Sequence, residues 1–166
     1  NCFALAETRM GVIAERMPEA RVVFFFFMGS GVGGGLVINN NLWQGKQGIA
    51  GEWGHNFLDA SGGACYCGKT GCVETVISGK ALEAFYARKT GMHTPLEEIA
   101  GKAPYSEVAY NTLQRLYYFF GKGIAQVINT LDPDAIVLGG GVGNIEGLYT
   151  HGVHYASEFV FNNRLE

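Results

Sequence analysis

The sequence predicts an α/β fold, and three observations point to it. Two strand-sized apolar runs, one ending at Met28 and the other covering Ala135–Leu138, each open into a glycine-rich segment. Ser106 to Leu131 repeats apolar residues every three or four positions, as a helix with one buried stripe does. Glycine, at 25 of 166 residues, is about double its usual share and concentrates beside the apolar runs. That placement suggests backbone packed close to ligands rather than a disordered linker.

Composition limits the function classes. The length suits one domain with a real core. A net charge of −3 and a pI near 5.8 give no electrostatic footprint for nucleic acid. No apolar run approaches the length of a membrane span.

In chain order, Phe3–Met17 reads as a helix ended by Pro18. Cys2, at its start, reads as a small buried residue. Arg21–Met28 contains four consecutive Phe and is too uniformly apolar for a half-exposed strand, so it reads as a central one. Gly29-Ser30-Gly31-Val32-Gly33-Gly34-Gly35 reads as a loop, followed by a second strand at Leu36–Ile38. Asn39-Asn40-Asn41 supplies a tight turn tolerant of positive φ, and Leu42–Gln44 returns as a short third strand. Ser78 caps a helix over Gly79–Lys89 that stops at Gly91. The long helix follows, with Ala109, Leu113, Leu116, Phe120, Ile124, Val127 and Leu131 as its buried stripe. Its aromatics Tyr117, Tyr118, Phe119 and Phe120 read as core. Asp132-Pro133-Asp134 breaks it. Ala135–Leu138 is then a buried strand opening into Gly139-Gly140-Gly141, and helix-like sequence resumes over Ile145–Phe161.

The densest chemistry lies between Glu52 and Glu74. His55, Cys65, Cys67 and Cys72 fall within eighteen residues, and Cys₃His is a common ligand set of closed structural zinc sites. Gly62, Gly63, Gly68 and Gly71 let a short loop bend its ligands toward one centre. Scattered thiols or disulfides are the alternative. Three clustered cysteines leave one unpaired, however, and bonding across a single residue is strained. No secretory signal is read in the sequence, so an oxidising compartment has no support.

Glu52 and Glu74 bracket that cluster without being needed as ligands. Carboxylates and imidazole are usual partners of sugar hydroxyls. A His55 that binds metal through one ring nitrogen keeps the other for a hydroxyl. The alternative is that both Glu residues are simply solvated. Gly29–Gly35 and Gly139–Gly141 follow strands, where bare N–H groups cradle phosphate, and Ser30 adds a hydroxyl donor. A bulged hairpin at Gly31–Gly35 and tight packing at Gly139–Gly141 remain open alternatives.

In order along the chain stand Asn-Cys-Phe-Ala-Leu-Ala-Glu, Gly-Ser-Gly-Val-Gly-Gly-Gly, Glu-Trp-Gly-His, Cys-Tyr-Cys-Gly-Lys-Thr-Gly-Cys-Val-Glu and Leu-Asp-Pro-Asp-Ala-Ile-Val-Leu-Gly-Gly-Gly. This series resembles the ROK family of bacterial sugar kinases and repressors, and within it the fructokinase and mannokinase branch. The resemblance implies a ribonuclease-H-like, actin-like ATPase fold with two lobes. Residues 1–166 would form most of the C-terminal lobe, the first lobe and the extreme C-terminus being absent.

The implied activity is transfer of the ATP γ-phosphoryl group to a hexose hydroxyl, by a cytoplasmic homodimer that uses Mg²⁺ with ATP. The resemblance implies structural zinc at His55, Cys65, Cys67 and Cys72, and sugar contacts from Glu52, His55 and Glu74. It implies nucleotide contacts from Gly29, Ser30, Gly31, Gly33, Gly34, Gly35, Gly139, Gly140 and Gly141. Ser30 stands where the family usually has Thr and keeps the hydroxyl. The family's general base, an Asp in Asn-Asp-Ala-Asn, would lie just upstream of Asn1, so no catalytic residue is expected in this chain and the chain alone is expected to be inactive. A sugar-responsive repressor is the alternative, its DNA-binding module lying outside the 166 residues.

Overall fold

The computed structural model describes residues 2–162 and 165. Asn1 and the Cys2 side chain, both subjects of expectations above, lie outside the described residues. Among the described residues, four strands form one mixed sheet in the order β3-β2-β1-β4. These are β1 (Val22–Met28), β2 (Val32–Ile38), β3 (Asn41–Leu42) and β4 (Ala135–Gly139). β1 pairs antiparallel with β2 and parallel with β4, which makes it central as its sequence predicts.

The four-Phe run alternates between two cores, because successive strand side chains point to opposite faces. Phe24, Phe26 and Met28 join the larger core, whereas Val23 and Phe25 pack with Ala4, Ile13, Ala20 and Val37 on the other face. Burial of a side chain such as Phe26, fully enclosed here, contributes roughly 1.5–3 kcal/mol. The smaller core is covered by α1 (Cys2–Met10) and α2 (Val12–Arg16), which replace the single predicted helix. Gly11 breaks it by adopting an extended conformation, and the Glu7 carboxylate accepts the N–H of Val12 across the break.

The larger face carries α3 (Val73–Ile77), α4 (Gly79–Thr90), α5 (Leu96–Lys102), α6 (Glu107–Leu131) and α7 (His151–Phe159). The Ser78 hydroxyl accepts the N–H of Ala81 to start α4, and Gly91, left-handed at φ 75°, ends it. Ser106 caps α6 in the same way, and Asp132 at φ 43° ends it before Pro133. The predicted stripe of α6 is buried except that Leu131 is only partly so, while Tyr118 is half-exposed. α7 lies close along α6, where Gly121 leaves room for Tyr155 and Ala156. Trp53 packs edge-on against Phe26 at 4.4 Å, and its buried indole N–H has no hydrogen-bond partner among the described residues. An unsatisfied group of that kind costs about 1–3 kcal/mol, which the ring's packing must offset.

The main departure from expectation is β2. Sequence reading places Gly29–Gly35 in a loop, but only Gly29–Gly31 turns, and Gly33, Gly34 and Gly35 pair in register with Phe27, Phe26 and Phe25. The hairpin alternative therefore holds for this segment. Crowding accounts for two of these glycines, since Gly51 lies directly against Gly34 and Gly35, whereas a Cβ on Gly33 would meet nothing within 4 Å. Asn39 and Asn40 occupy the predicted positive-φ turn, at 48° and 60°. No helix among the described residues is long and apolar enough to cross a membrane.

Candidate active site and metal centre

The segment from Glu52 to Glu74 folds as a compact loop fixed by its own backbone. Gly68 at φ 85° closes a turn in which the Cys65 N–H donates to Lys69 O at 2.8 Å. Gly71, at φ 73°, also sits where any side chain would strike the Asp59 carbonyl, so glycine is required on both counts. Gly71 O accepts the N–H groups of Leu58 and Asp59, and Gly71 N–H donates to Gly63 O. Asp59 caps the following 3-10 turn by accepting the N–H of Ser61, and the Ser61 hydroxyl followed by that N–H holds its carboxyl below the usual carboxylate range. Arg115 of α6 reaches across to donate to the Ser61 hydroxyl at 2.8 Å. Its guanidinium lies 4.7 Å from the centre of the Phe119 ring and 5.1 Å from that of Phe85.

This scaffold brings His55, Cys65, Cys67 and Cys72 together, with their ligand atoms all within 4.8 Å of one another. Two edges of this cluster match those of a tetrahedral metal site. Zn–S bonds of about 2.3 Å and Zn–N bonds of about 2.0–2.1 Å imply S···S edges of about 3.7 Å and S···N edges of about 3.5 Å. Cys67 Sγ lies 3.6 Å from Cys72 Sγ, and Cys65 Sγ lies 3.5 Å from His55 Nδ1. These cysteines are free thiols, so the disulfide alternative is not adopted. A hydrogen bond to Lys69 backbone, opposed by desolvation, brings the Cys67 thiol down to about 7, whereas burial and its thiol neighbours push Cys72 up to about 12.

The imidazole is oriented so that Nδ1 faces the thiols while Nε2 faces the Tyr66 hydroxyl at 2.9 Å. Sequence reasoning missed Tyr66, although its place between two ligand cysteines was the available signal. Desolvation and then the Glu74 carboxylate raise its phenol pKa, with Glu52 a smaller contributor. Glu52 is exposed at the start of the Trp53–His55 turn. Glu74 is partly buried, and its Oε2 accepts the Val32 N–H at 2.9 Å. One carboxylate thus links the metal loop to the residue that follows the Gly29–Gly31 turn.

That turn lies at the C-terminal end of β1, beside the C-terminal end of the parallel strand β4. Gly140, at φ 83°, passes so close to the Met28 carbonyl that no side chain fits. Gly139 lies in β4 and Gly141 opens a 3-10 turn, so the second glycine segment bends at Gly140. Gly29, Ser30 and Gly141 line one wall of a groove of about 1010 Å³, with Lys80, Glu83 and Asn144 also at its surface. Lys80 sits in the first turn of α4, whose Gly79 N–H donates to Gly29 O at 2.8 Å. Helix N-termini and a cationic side chain beside a glycine turn suit phosphate. Lys80 and Asn144 were also missed, since each reads as an ordinary surface residue until the fold sets it beside the two glycine turns.

A model of the ROK family matches residues 1–164. The N-acetyl-D-glucosamine kinase of Yersinia enterocolitica is 34% identical over 163 residues, covering 90% of this chain and 52% of the relative. A ROK family glucokinase from Streptomyces griseus, solved with glucose and AMPPNP, superposes with a TM-score of 0.85 at 27% identity, covering 100% of this chain and 59% of that one. A ROK family transcriptional regulator, a homologue of the E. coli MLC protein, superposes at 0.78 with 28% identity, covering 96% and 42%. The chain spans about half the length of the curated relatives it matches, 52% and 45% in two of them. The mixed sheet fits the actin-like ATPase fold of these neighbours.

Proposed function

This chain belongs to the ROK family, and from that membership we propose that it is the sugar- and nucleotide-binding second lobe of an ATP-dependent hexose kinase. The observation that carries the reading is the bond from the Val32 N–H to Glu74 Oε2. It sets a sugar-facing carboxylate beside the turn proposed to hold the γ-phosphate. A kinase needs its acceptor hydroxyl and phosphoryl donor within a few ångströms, because positioning supplies much of phosphoryl-transfer catalysis.

In this reading ATP, with its Mg²⁺, lies in the groove between the two glycine turns. Gly29 N–H is used within its own turn, donating to Gly31 O at 2.9 Å. The phosphate donors are therefore the Ser30 hydroxyl and the N–H groups of Ser30 and Gly31, with Lys80 contributing positive charge. Gly141 lines the same groove, and the bend at Gly140 sets it there. Gly33, Gly34 and Gly35 serve the hairpin and hold no phosphate.

Glu52 and Glu74 accept hydroxyl hydrogen bonds from the hexose, Glu74 through Oε1 because Oε2 is engaged. The thiols and His55 Nδ1 would hold zinc, which when bound supplies rigidity and no chemistry. No residue of this chain is assigned the removal of the hydroxyl proton. Relatives named for N-acetyl-D-glucosamine and glucose favour an aldohexose or its N-acetylated amino derivative over the fructose first expected.

A repressor reading is favoured by the match to a regulator of the same family. The kinase reading is preferred because a groove flanked by two glycine turns serves a nucleotide, which a sugar sensor does not require. Calorimetric titration with AMPPNP, glucose, N-acetylglucosamine and fructose tests it. Binding of AMPPNP together with an aldohexose is expected. Sugar binding without nucleotide binding would favour the repressor, and a sedimentation measurement would test the proposed dimer.

A further inference from the structure

We propose that Tyr66 is a positioning residue for His55, and that its hydroxyl holds the place a sugar hydroxyl takes on binding. The inference deepens the sugar-pocket reading and rests on it. His55 has two ring nitrogens with separate tasks. Nδ1 points at Cys65 Sγ, 3.5 Å away, and Nε2 points at Tyr66 Oη, 2.9 Å away. With metal on Nδ1, the ring proton resides on Nε2, which donates to the phenol oxygen. An outer partner of this kind fixes the tautomer and orientation of a metal-binding histidine.

The phenol is held by little else. Tyr66 is 83% exposed, and its ring meets His55 edge-on at 5.1 Å. A side chain standing in solvent leaves at small cost, so an incoming hydroxyl can replace it on Nε2. The phenol oxygen thus sits on the ring nitrogen that the sugar-pocket reading gives to a sugar hydroxyl. Tyr66 therefore keeps His55 turned correctly while no sugar is present, and competes weakly with the sugar.

The test compares the full chain and Tyr66→Phe, which keeps the ring and removes only the hydroxyl. Two quantities are read on each: zinc affinity by chelator competition, and hexose affinity of the zinc-loaded form by titration. Zinc affinity is expected to fall about ten-fold in Tyr66→Phe, as for loss of an outer-shell partner. Hexose affinity is expected to rise about three-fold, the worth of one competing hydrogen bond. In ¹⁵N spectra of the zinc-loaded, sugar-free protein, the His55 Nε2–H signal is expected to exchange faster with water in the variant.

Unchanged zinc affinity together with an unchanged Nε2–H signal would overturn the positioning role. Weaker hexose binding in Tyr66→Phe would make the phenol a sugar contact and overturn the place-holding role. If the wild-type chain binds no hexose, the sugar pocket itself falls. The zinc and Nε2–H measurements then still decide whether Tyr66 positions His55.

Discussion

Glu74 Oε2 accepts the N–H of Val32 at 2.9 Å, and a Cβ added to Gly31 would stand 2.5 Å from the same oxygen. The carboxylate that ends the metal loop therefore fits only because the neighbouring turn residue has no side chain. Gly31→Ala must push Glu74 aside. The carboxylate is the far end of a flexible side chain, so the stability loss is expected to stay near one hydrogen bond to a charged group, about 1.5–3 kcal/mol. Ligand binding should suffer more, with affinity for hexose and AMPPNP both falling at least about ten-fold, a 1.4 kcal/mol effect. Gly33→Ala is the control, since nothing lies within 4 Å of its added Cβ. It should bind as wild type does, and the pair is compared by calorimetry.

Gly140 faces backbone rather than a side chain. Its φ of 83° and the adjacent Met28 carbonyl leave an added methyl with no escape. Gly140→Ala is expected to cost at least about 1–3 kcal/mol from the backbone conformation alone, read as a lowered urea midpoint. Nucleotide binding should be lost before the fold is, because Gly141 follows directly into the groove wall.

Arg115 ties the metal loop to α6 through Ser61 and two aromatic rings. Arg115→Ala is expected to destabilise by about 1–3 kcal/mol, combining one hydrogen bond with cation–π contact. The loop should also release zinc faster in a chelator chase. Arg115→Lys should recover only part of either effect, since an ammonium cannot stack on the rings as a guanidinium does.

Asp134 predicts a pH dependence. Its carboxylate accepts the N–H groups of Val22 and Arg21 at 2.7 and 2.8 Å, pinning the start of β1, and these bonds hold its pKa below the ordinary 3.8. A carboxyl held below its unfolded value contributes stability above that value and loses it as pH falls through the folded one. Wild type should therefore exceed Asp134→Ala in urea midpoint at neutral pH. The gap should close only as pH drops below 3.8, and a gap that persists unchanged in acid would contradict the assignment.

Much of the fold is legible because local chemistry and tertiary packing agree. Ser78, Gly91, Ser106 and Asp132 bound α4 and α6 as capping rules require. Four consecutive Phe residues read as a strand buried on both faces, and they fill two cores. Agreement fails at Val32–Gly35, where local glycine content says loop but pairing with Phe25–Met28 makes strand. There Gly34 and Gly35 answer to Gly51, a neighbour outside the strand, and no local pattern announces it. At the candidate site, the grouping of His55, Cys65, Cys67 and Cys72 is legible from spacing alone. Tyr66, Lys80 and Asn144 are not, because ordinary residue types acquire roles only when the fold sets them beside a ring nitrogen or a glycine turn.

The central claim is that a metal-held loop builds the sugar pocket. Hexose affinity of the zinc-loaded chain, of the chelator-stripped chain and of the stripped chain with zinc restored tests it most directly. The account predicts at least about a ten-fold loss on stripping, in the range that disrupted metal shells produce, with full recovery on restoring zinc. Equal hexose affinity with and without the metal would contradict it.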